Sequence, residues 1–137
     1  MSERMIKVGL CGFGVVGQGV FDHLDRKRAV LSEQLGAEIT VSRIAVRNIG
    51  KARDIAVDAS IVTDDPLAVA TDPEIDVICE LMGGTGIARE VVLAALRAGK
   101  IVITANKALL CDFGEELLSV AREHGGHLLF EASVAGG

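Results

Sequence analysis

The sequence predicts a doubly wound α/β fold, in which a mostly parallel sheet is covered by helices on both faces. Short apolar, β-branched runs alternate with helical stretches of about ten residues or more, an order that places crossover helices between parallel strands. A glycine-rich turn joins the first of these strands directly to a helix. The chain has 137 residues, of which 50% are hydrophobic, so residues 1–137 can form one domain with its own core.

The first half of the chain is predicted as a strand, a long helix and two further strands. Residues 5–11 are mostly apolar and predict a buried strand that runs into the glycine turn. Apolar periodicity over residues 16–35 predicts one long helix, for which Gly36 is a suitable C-cap. Residues 38–46 and 59–63 are rich in β-branched side chains, which predicts the second and third strands.

Proline and glycine divide the second half into shorter elements. Asp65-Pro66 and Asp72-Pro73 flank a short helix, because proline is favoured in the first turn of a helix and beyond its end. Strands and helices then alternate: strand 76–81, helix 87–98, strand 100–104, helix 106–124 and strand 127–131. This succession is typical of a sheet with the strand order 3-2-1-4-5-6.

The composition argues against two classes of partner. The chain has 14 Lys and Arg against 19 Asp and Glu and only four Phe as large aromatic side chains. It therefore lacks the basic surface and the stacking platforms that nucleic-acid binding requires. No apolar run approaches the roughly 18 residues of a membrane span, and the first residues do not resemble a signal peptide. We expect a cytoplasmic protein that binds neither nucleic acid nor membrane.

Three cysteines are widely spaced among apolar neighbours. The odd number of thiols, Cys11, Cys79 and Cys111, fits reduced core residues better than a disulfide or zinc framework. A catalytic thiol stays open as an alternative, although no histidine is marked in the sequence as its partner.

A glycine motif follows the first strand. Gly12, Gly14 and Gly17 have the spacing G-x-G-x-x-G and open the first helix. In that context Gly12 allows a sharp turn, Gly14 lets the backbone approach a pyrophosphate, and Gly17 lets the helix pack closely on the sheet. The unpaired N–H groups and the positive end of the helix dipole favour phosphate there. The motif predicts a dinucleotide site, with a tight turn that binds no ligand as the alternative.

The end of the second strand bears on the choice between NAD and NADP. An acidic residue there would accept a hydrogen bond from the ribose 2′-hydroxyl of NAD, but Glu38 is placed at the start of that strand. Arg47 leaves the strand instead, and further polar and basic residues follow it: Asn48, Lys51 and Arg53. Guanidinium and ammonium groups suit a 2′-phosphate, so NADP is favoured over NAD. A solvated basic loop is the alternative.

Two charged residues follow later strands at the carboxyl edge of the sheet, where ligands bind in open α/β folds. Lys107 falls in the first turn of a helix, where a cation is disfavoured without an anionic partner. This inconsistency indicates a functional site, and an exposed lysine that points away is the alternative. Glu131 ends the last strand beside a glycine-rich segment and suits either a hard cation or a loop hydrogen bond.

Three stretches of the chain carry a resemblance to a known family: residues 8–20, 98–110 and 130–137. The second contains Thr-Ala-Asn-Lys-Ala-Leu and the third Glu-Ala-Ser-Val-Ala-Gly-Gly, and both are more specific than the glycine motif. Together they resemble the nucleotide-binding domain of homoserine dehydrogenase over essentially the whole chain, which implies a Rossmann-type fold. The resemblance implies reversible hydride transfer between NADP or NAD and aspartate 4-semialdehyde, giving homoserine for threonine, methionine and isoleucine biosynthesis.

The resemblance also implies which residues bind the cofactor. Phe13, Val15 and Val16 would line its phosphates together with the glycines of the turn. Arg47 would reach the adenosine ribose or its phosphate. This chain has Val15 where many relatives have Thr, so a hydroxyl contact to the pyrophosphate is absent.

At the other end of the cofactor, the resemblance implies that Lys107 lies beside the nicotinamide and the substrate and helps proton transfer. Glu131, with the carbonyls of Val134 and Gly136, matches a sodium site of the family. That site would order the connection to the next domain.

The family places its substrate domain and its dimer-forming sheet beyond the point that corresponds to residue 137. We therefore expect the chain to be a fragment of a longer homo-oligomeric enzyme, able to bind cofactor and nearly inactive alone, because the residues that hold substrate follow later. Two other functions stay open. One is a non-catalytic module that senses nucleotides, and the other is a different NAD(P)-dependent enzyme that acts on aldehydes through a cysteine.

Overall fold

The computed structural model describes residues 4–47 and 59–130. Its strands are β1 Arg4–Cys11, β2 Ala37–Ala45, β3 Val62–Thr63, β4 Val77–Glu80, β5 Ile101–Thr104 and β6 His127–Phe130. Its helices are α1 Val15–Arg26, α2 Arg28–Leu35, α3 Pro66–Thr71, α4 Ile87–Arg97 and α5 Lys107–His124. A single 3-10 turn at Ala59–Ile61 precedes β3.

These strands form one sheet in the order β3-β2-β1-β4-β5-β6, and each neighbouring pair runs parallel. The predicted doubly wound fold and strand order are confirmed. Because every strand of a parallel sheet points the same way, the segments that follow the strands all leave from one edge. We call this the carboxyl edge, and it is where the sequence places the glycine turn and Lys107.

Two apolar cores lie on opposite faces of the sheet, since successive side chains of a strand alternate between its faces. Within β4, Ile78 belongs to the core that contains residues of α3, α4 and α5. Its neighbour Cys79 belongs to the other core, against which Phe21 of α1 packs. Helices therefore cover both faces, as the sequence predicts.

The long helix predicted over residues 16–35 is in fact two helices. α1 ends at Arg26 and α2 begins at Arg28, because Lys27 between them leaves helical backbone angles, with φ −101° and ψ 11°. Neither proline nor glycine marks this break in the sequence, so the periodicity runs through it. Gly36 ends α2 in the left-handed region, with φ 64°, as predicted for a C-cap.

The strand predicted over residues 59–63 is mostly a 3-10 turn. Only Val62 and Thr63 pair with a neighbour, opposite Ile44 and Ala45 of β2. β3 is the last strand on its side of the described sheet, so it has a single partner to extend along. The β-branched composition favours a strand there but does not fix its length.

Polar side chains cap two helices, α3 and α5. Asp65 accepts a hydrogen bond from the N–H of Ala68 at the start of α3. Asn106 does the same for the N–H of Leu109 at the start of α5. Such caps satisfy N–H groups that have no partner inside the helix. The start of α1 is built differently, with consequences for the site below.

Candidate functional site

The connections that follow the adjacent strands β1 and β4 diverge at the carboxyl edge, and we call the region between them the crevice. The chain that leaves β1 leads to β2 on one side, and the chain that leaves β4 leads to β5 on the other. Ligands of doubly wound sheets bind where connections diverge in this way. Two hydrogen bonds connect the strand ends at this edge: Gly12 N–H donates to the Ala45 carbonyl at the end of β2 at 2.9 Å, and Leu81 N–H donates to the Cys11 carbonyl at the end of β1 at 2.8 Å.

Gly12 makes the turn that leaves β1. Its φ is +110°, a conformation that side-chain-bearing residues rarely adopt. A Cβ at this position would lie 2.8 Å from the Leu81 carbonyl oxygen, which is backbone and cannot move aside cheaply. Both constraints require glycine, and they bring the turn directly against the end of β4.

Gly17 also has a neighbour too close for a side chain, but this neighbour differs from the predicted one. The sequence predicts close packing of the helix on the sheet, whereas a Cβ on Gly17 would overlap the carbonyl oxygen of Gly12 within the turn. Close packing of helix on sheet occurs at Gly9 of β1 instead. A Cβ there would lie 2.6 Å from Cγ1 of Val69 in α3.

The start of α1 faces open space and has the features of an anion site. Gly14 is the N-cap, has no side chain to accept from the first-turn N–H groups, and would have no heavy atom within 4 Å of an added Cβ. Val15 and Val16 are the first two residues of α1, and its first turn holds no acidic residue. The first N–H groups of a helix have no partner inside it, and together with the helix dipole they favour an anion, which fits a pyrophosphate.

Phe13 contributes its main chain to this turn. Its side chain is buried and packs edge-on against Phe21, with the ring centroids 5.9 Å apart. The Phe13 carbonyl accepts a hydrogen bond from the side chain of Gln18. The aromatic ring thus anchors the turn in the core beneath α1, and only backbone groups are left to contact a ligand.

Arg47 follows β2 at the same edge as the glycine turn and is exposed. β2 ends at Ala45, whose carbonyl accepts a hydrogen bond from the N–H of Gly12. Arg47 follows Ala45 by two residues and is therefore near the glycine turn in space. Glu38 is opposite Met5, at the far edge of the sheet, as the sequence predicts. The other residues of the predicted basic loop, Asn48, Lys51 and Arg53, lie outside the described residues.

Lys107 is the first residue of α5, and its side chain is exposed. None of the ion pairs in residues 4–47 and 59–130 includes it. The residue before it, the cap Asn106, is buried and also donates to the Gly84 carbonyl in the segment after β4. Lys107 is thus fixed by its backbone at the carboxyl edge, two strands from the glycine turn.

Glu80, a fully buried carboxylate at the end of β4, is not among the site residues that the sequence predicts. It accepts a hydrogen bond from the hydroxyl of Thr104, which ends β5. The two residues are 24 apart in the chain and become neighbours only because β4 and β5 pair in register. The sequence carries one signal for this pair: two successive predicted apolar strands both end in or near a polar residue.

The thiols differ from the prediction at one position. Cys11 and Cys79 are buried as expected, whereas Cys111 on α5 is exposed. Burial raises the pKa of Cys11 to about 12, with a further contribution from the carboxylate of Glu80, and raises the pKa of Cys79 to about 11. These two thiols stay protonated at neutral pH, so neither is activated for attack on an aldehyde.

The predicted sodium ligands Glu131, Val134 and Gly136 lie outside the described residues. Among residues 4–47 and 59–130, no three His, Cys, Asp or Glu side chains are grouped so that they could hold a metal ion. In the same part of the chain, no helix is both long and apolar enough to cross a membrane.

Comparison with known proteins decides the family. A model of the homoserine dehydrogenase NAD-binding domain matches residues 12–131. The chain belongs to this family. Homoserine dehydrogenases are thus its relatives by sequence: that of Pseudomonas aeruginosa is 46% identical over 134 residues, and that of Bacillus subtilis is 38% identical over 134 residues. Each alignment covers 98% of this chain.

Solved homoserine dehydrogenases share the fold. The Staphylococcus aureus enzyme at pH 8.5 superposes with a TM-score of 0.88 at 33% identity, over 96% of this chain and 33% of that one. The Thiobacillus denitrificans enzyme gives a TM-score of 0.87 at 41% identity, over 96% of this chain and 31% of that one. The chain spans about 30% of the length of the two curated relatives, and it corresponds to their NAD-binding domain.

Proposed function

We propose that the chain binds NADP or NAD across the crevice between β1 and β4, as the cofactor-binding part of a homoserine dehydrogenase. One observation carries the proposal: the start of α1 presents unpaired N–H groups and an open Gly14 at the crevice. The family membership supports the same ligand. When bound, the nicotinamide supplies or accepts the hydride for the interconversion of aspartate 4-semialdehyde and homoserine.

The residues of the turn hold the pyrophosphate in this proposal. Backbone groups of Phe13, Gly14, Val15 and Val16 contact the phosphate oxygens, because the Phe13 ring is buried and Gly14 has no side chain. Gly12 shapes the turn by its positive φ. Among the described residues, no heavy atom lies within 4 Å of the position of a Cβ on Gly14, which leaves space for a phosphate at the start of α1.

Arg47 selects NADP over NAD in the proposal. Its exposed guanidinium follows β2, beside the turn, where the adenosine ribose of a doubly wound dinucleotide site lies. A guanidinium offers two parallel donors to a 2′-phosphate, while a 2′-hydroxyl gains much less from it. Glu38, the acidic residue that would favour NAD, lies at the opposite edge.

Lys107 serves the nicotinamide end. Its position at the start of α5 places its ammonium at the carboxyl edge with no described carboxylate as partner. There it orients the substrate and helps proton transfer. A sodium ion at Glu131, Val134 and Gly136 and a substrate domain after residue 137, in a homo-oligomeric enzyme, complete the proposal. The cytoplasmic location stays a prediction.

Titration of the chain with NADPH and NADH tests cofactor binding. The nicotinamide fluorescence of both can be followed directly, because the chain has neither Trp nor Tyr. We expect both to bind, NADPH more tightly. Arg47→Ala should weaken NADPH binding by about tenfold or more, since a hydrogen bond to a charged group is lost, and change NADH binding little.

Arg122→Ala is the matched control, an exposed arginine in the last turn of α5 and so at the opposite end of that helix from Lys107. It should leave both affinities unchanged. Failure of the unmodified chain to bind either dinucleotide would overturn the proposed function. If Arg47→Ala lowers the affinities for NADPH and NADH equally, Arg47 does not recognise the 2′-phosphate, while the proposed cofactor binding itself still holds.

A further inference from the structure

A buried polar network connects the ends of β4 and β5 at the carboxyl edge. Glu80 and Thr104 are the last residues of these strands, pair in register, and are both fully buried. The Thr104 hydroxyl donates to Oε1 of Glu80 at 2.7 Å, and the Met82 N–H donates to Oε2 at 2.9 Å. Each carboxylate oxygen therefore has a partner, one from the neighbouring strand and one from the segment after β4.

The network continues to the start of α5. Thr104 accepts a hydrogen bond from the N–H of Asn106 at 3.0 Å, so its hydroxyl both donates and accepts. The side chain of Asn106 accepts from Leu109 N–H at 3.0 Å and donates through Nδ2 to the Gly84 carbonyl at 2.5 Å. We call Glu80, Thr104, Asn106 and the Gly84 carbonyl the Glu80–Asn106 network.

This network joins two segments, residues 83–86 after β4 and the first turn of α5. Residues 83–86 after β4 include Gly83 and Gly84, both with positive φ and both with open space where a Cβ would be. The hydrogen bonds to Glu80 and from Asn106 hold this segment at Met82 and at Gly84. At its other end, the same network sets the first turn of α5, where Lys107 begins the helix.

The burial of the Glu80 carboxylate is poorly explained by its contribution to folding stability. A carboxylate that is taken out of water loses its hydration energy, and its hydrogen bonds in the protein do no more than offset that loss. Replacing buried polar groups by packed apolar ones is often neutral or stabilising. A fully satisfied network, however, holds its members in one arrangement. The benefit is therefore expected in the geometry of the segments that it joins.

We infer that the Glu80–Asn106 network positions the segment 83–86 and Lys107 around the nicotinamide half of the cofactor. The inference rests on the proposed function and adds three positioning residues to it: Glu80, Thr104 and Asn106. These residues act through the backbone of the two segments and not by touching the ligand. The adenosine half, held at the glycine turn and Arg47, is independent of them.

The test compares two ligands that differ only in the nicotinamide. Each ligand is titrated into the protein and its binding is followed by calorimetry. The affinity for NADPH is compared with that for 2′-phospho-ADP-ribose, which lacks the nicotinamide ring, and the affinity for NADH with that for ADP-ribose. Thr104→Val removes the hydroxyl while keeping the shape of the side chain. Thr104→Ser restores the hydroxyl. Asn106→Ser keeps an oxygen to cap α5 but removes the donor to the Gly84 carbonyl.

Thr71→Val is the matched control. The Thr71 hydroxyl donates to the Leu67 carbonyl within its own helix, α3, and shares no described hydrogen bond with the Glu80–Asn106 network. Each variant is also unfolded in urea. If Thr104→Val does not fold, Asn106→Ser carries the comparison, because its cap on α5 is retained.

We expect Thr104→Val and Asn106→Ser to bind the complete dinucleotide about tenfold more weakly, the loss of one well-formed hydrogen bond. Binding of the nicotinamide-free fragments should stay unchanged, and Thr104→Ser and Thr71→Val should match the unmodified chain. Equal losses for dinucleotide and fragment, or no loss for either, would overturn the inference while leaving the proposed function intact. An unmodified chain that binds none of the four ligands would overturn both.

Discussion

The three glycines of the turn after β1 differ in what surrounds them. Gly12 has a positive φ and the Leu81 carbonyl beside it, and Gly17 lies against the Gly12 carbonyl. Gly14 has negative φ and open space around the position of a Cβ. Gly12 and Gly17 are therefore required by the fold itself. No described contact requires glycine at position 14, and the proposed approach of a pyrophosphate supplies a reason for it there.

Gly14→Ala should separate binding from folding. The added methyl meets no protein atom within 4 Å, so the free energy of unfolding should change by less than about 1 kcal/mol. The same methyl occupies the space through which a pyrophosphate would approach, and NADPH binding should fall by about tenfold or more. Urea unfolding and fluorescence titration of the same preparation measure the two effects.

Gly19→Ala provides the control for this comparison. Gly19 lies within α1, is exposed, and also has open space where the Cβ would be. Alanine there should stabilise the helix by about 0.5–1 kcal/mol and leave NADPH binding unchanged. Similar binding losses in both variants would mean that the methyl acts through α1 and not through contact with phosphate.

At the level of residues, the sequence is informative where chemistry is local. The G-x-G-x-x-G spacing identifies Gly12 and Gly14 because a turn depends on consecutive residues. Gly9 and Glu80 are missed since their neighbours, Val69 and Thr104, are distant in the chain and adjacent only after the sheet forms. A single sequence does not contain that register.

At the level of elements, the predictions succeed where a terminal residue defines the boundary. Asp65 and Asn106 begin helices by capping them, and Gly36 ends one with φ 64°. They fail at Lys27 and over residues 59–63, where no such residue marks the change. Apolar periodicity reports which face is buried, and it does not report where a helix bends.

The contact between α4 and α5 gives a prediction at this scale. Arg89 of α4 donates to both carboxylate oxygens of Glu116 of α5, at 2.7 and 2.6 Å, and lies over the ring of Phe113 at 4.9 Å. The hydrogen bonds from Arg89 lower the pKa of Glu116. The pair therefore stabilises the fold above the ordinary pKa of a glutamate, and this contribution is lost as pH falls through the lowered value.

Glu116→Gln should lower the urea midpoint slightly at neutral pH, because both groups are partly exposed and solvent screens the pair. The difference from the unmodified chain should shrink as pH falls below the ordinary pKa of a glutamate, and it should vanish below the lowered pKa of Glu116. Glu115→Gln is the control, a neighbouring exposed carboxylate that forms none of the described ion pairs. A loss in Glu116→Gln that persists at low pH would assign the effect to packing of the side chain.

At the scale of the whole molecule, the two faces of the sheet are joined through strands that contribute to both cores. Cys11 belongs to the core with α3, α4 and α5, and Cys79 belongs to the core on the face of α1. Both thiols lie in the two central strands, β1 and β4, which also form the crevice. Exposure of either thiol therefore reports that the central part of the sheet has opened.

Alkaline pH should weaken the fold through these thiols. Burial raises the pKa of Cys79 from 9.0 to about 11 and that of Cys11 from 9.0 to about 12. Their contribution is present below pH 9 and is lost as pH rises through the raised values, since unfolded thiols ionise first. Between about pH 8 and pH 10 each thiol should lower the free energy of unfolding by about 1 kcal/mol.

Cys79→Ala isolates one of these contributions. The cavity it leaves costs the same at every pH, so only the slope of stability with pH should change, by about 1 kcal/mol over the same interval. Cys111→Ser, at an exposed position, should leave that slope unaltered. Alkylation with iodoacetamide gives an independent measurement: Cys111 should react in the native chain, and the two buried thiols only as fast as the sheet opens. Rapid native labelling of Cys79 would show that the core on the face of α1 opens locally, without global unfolding.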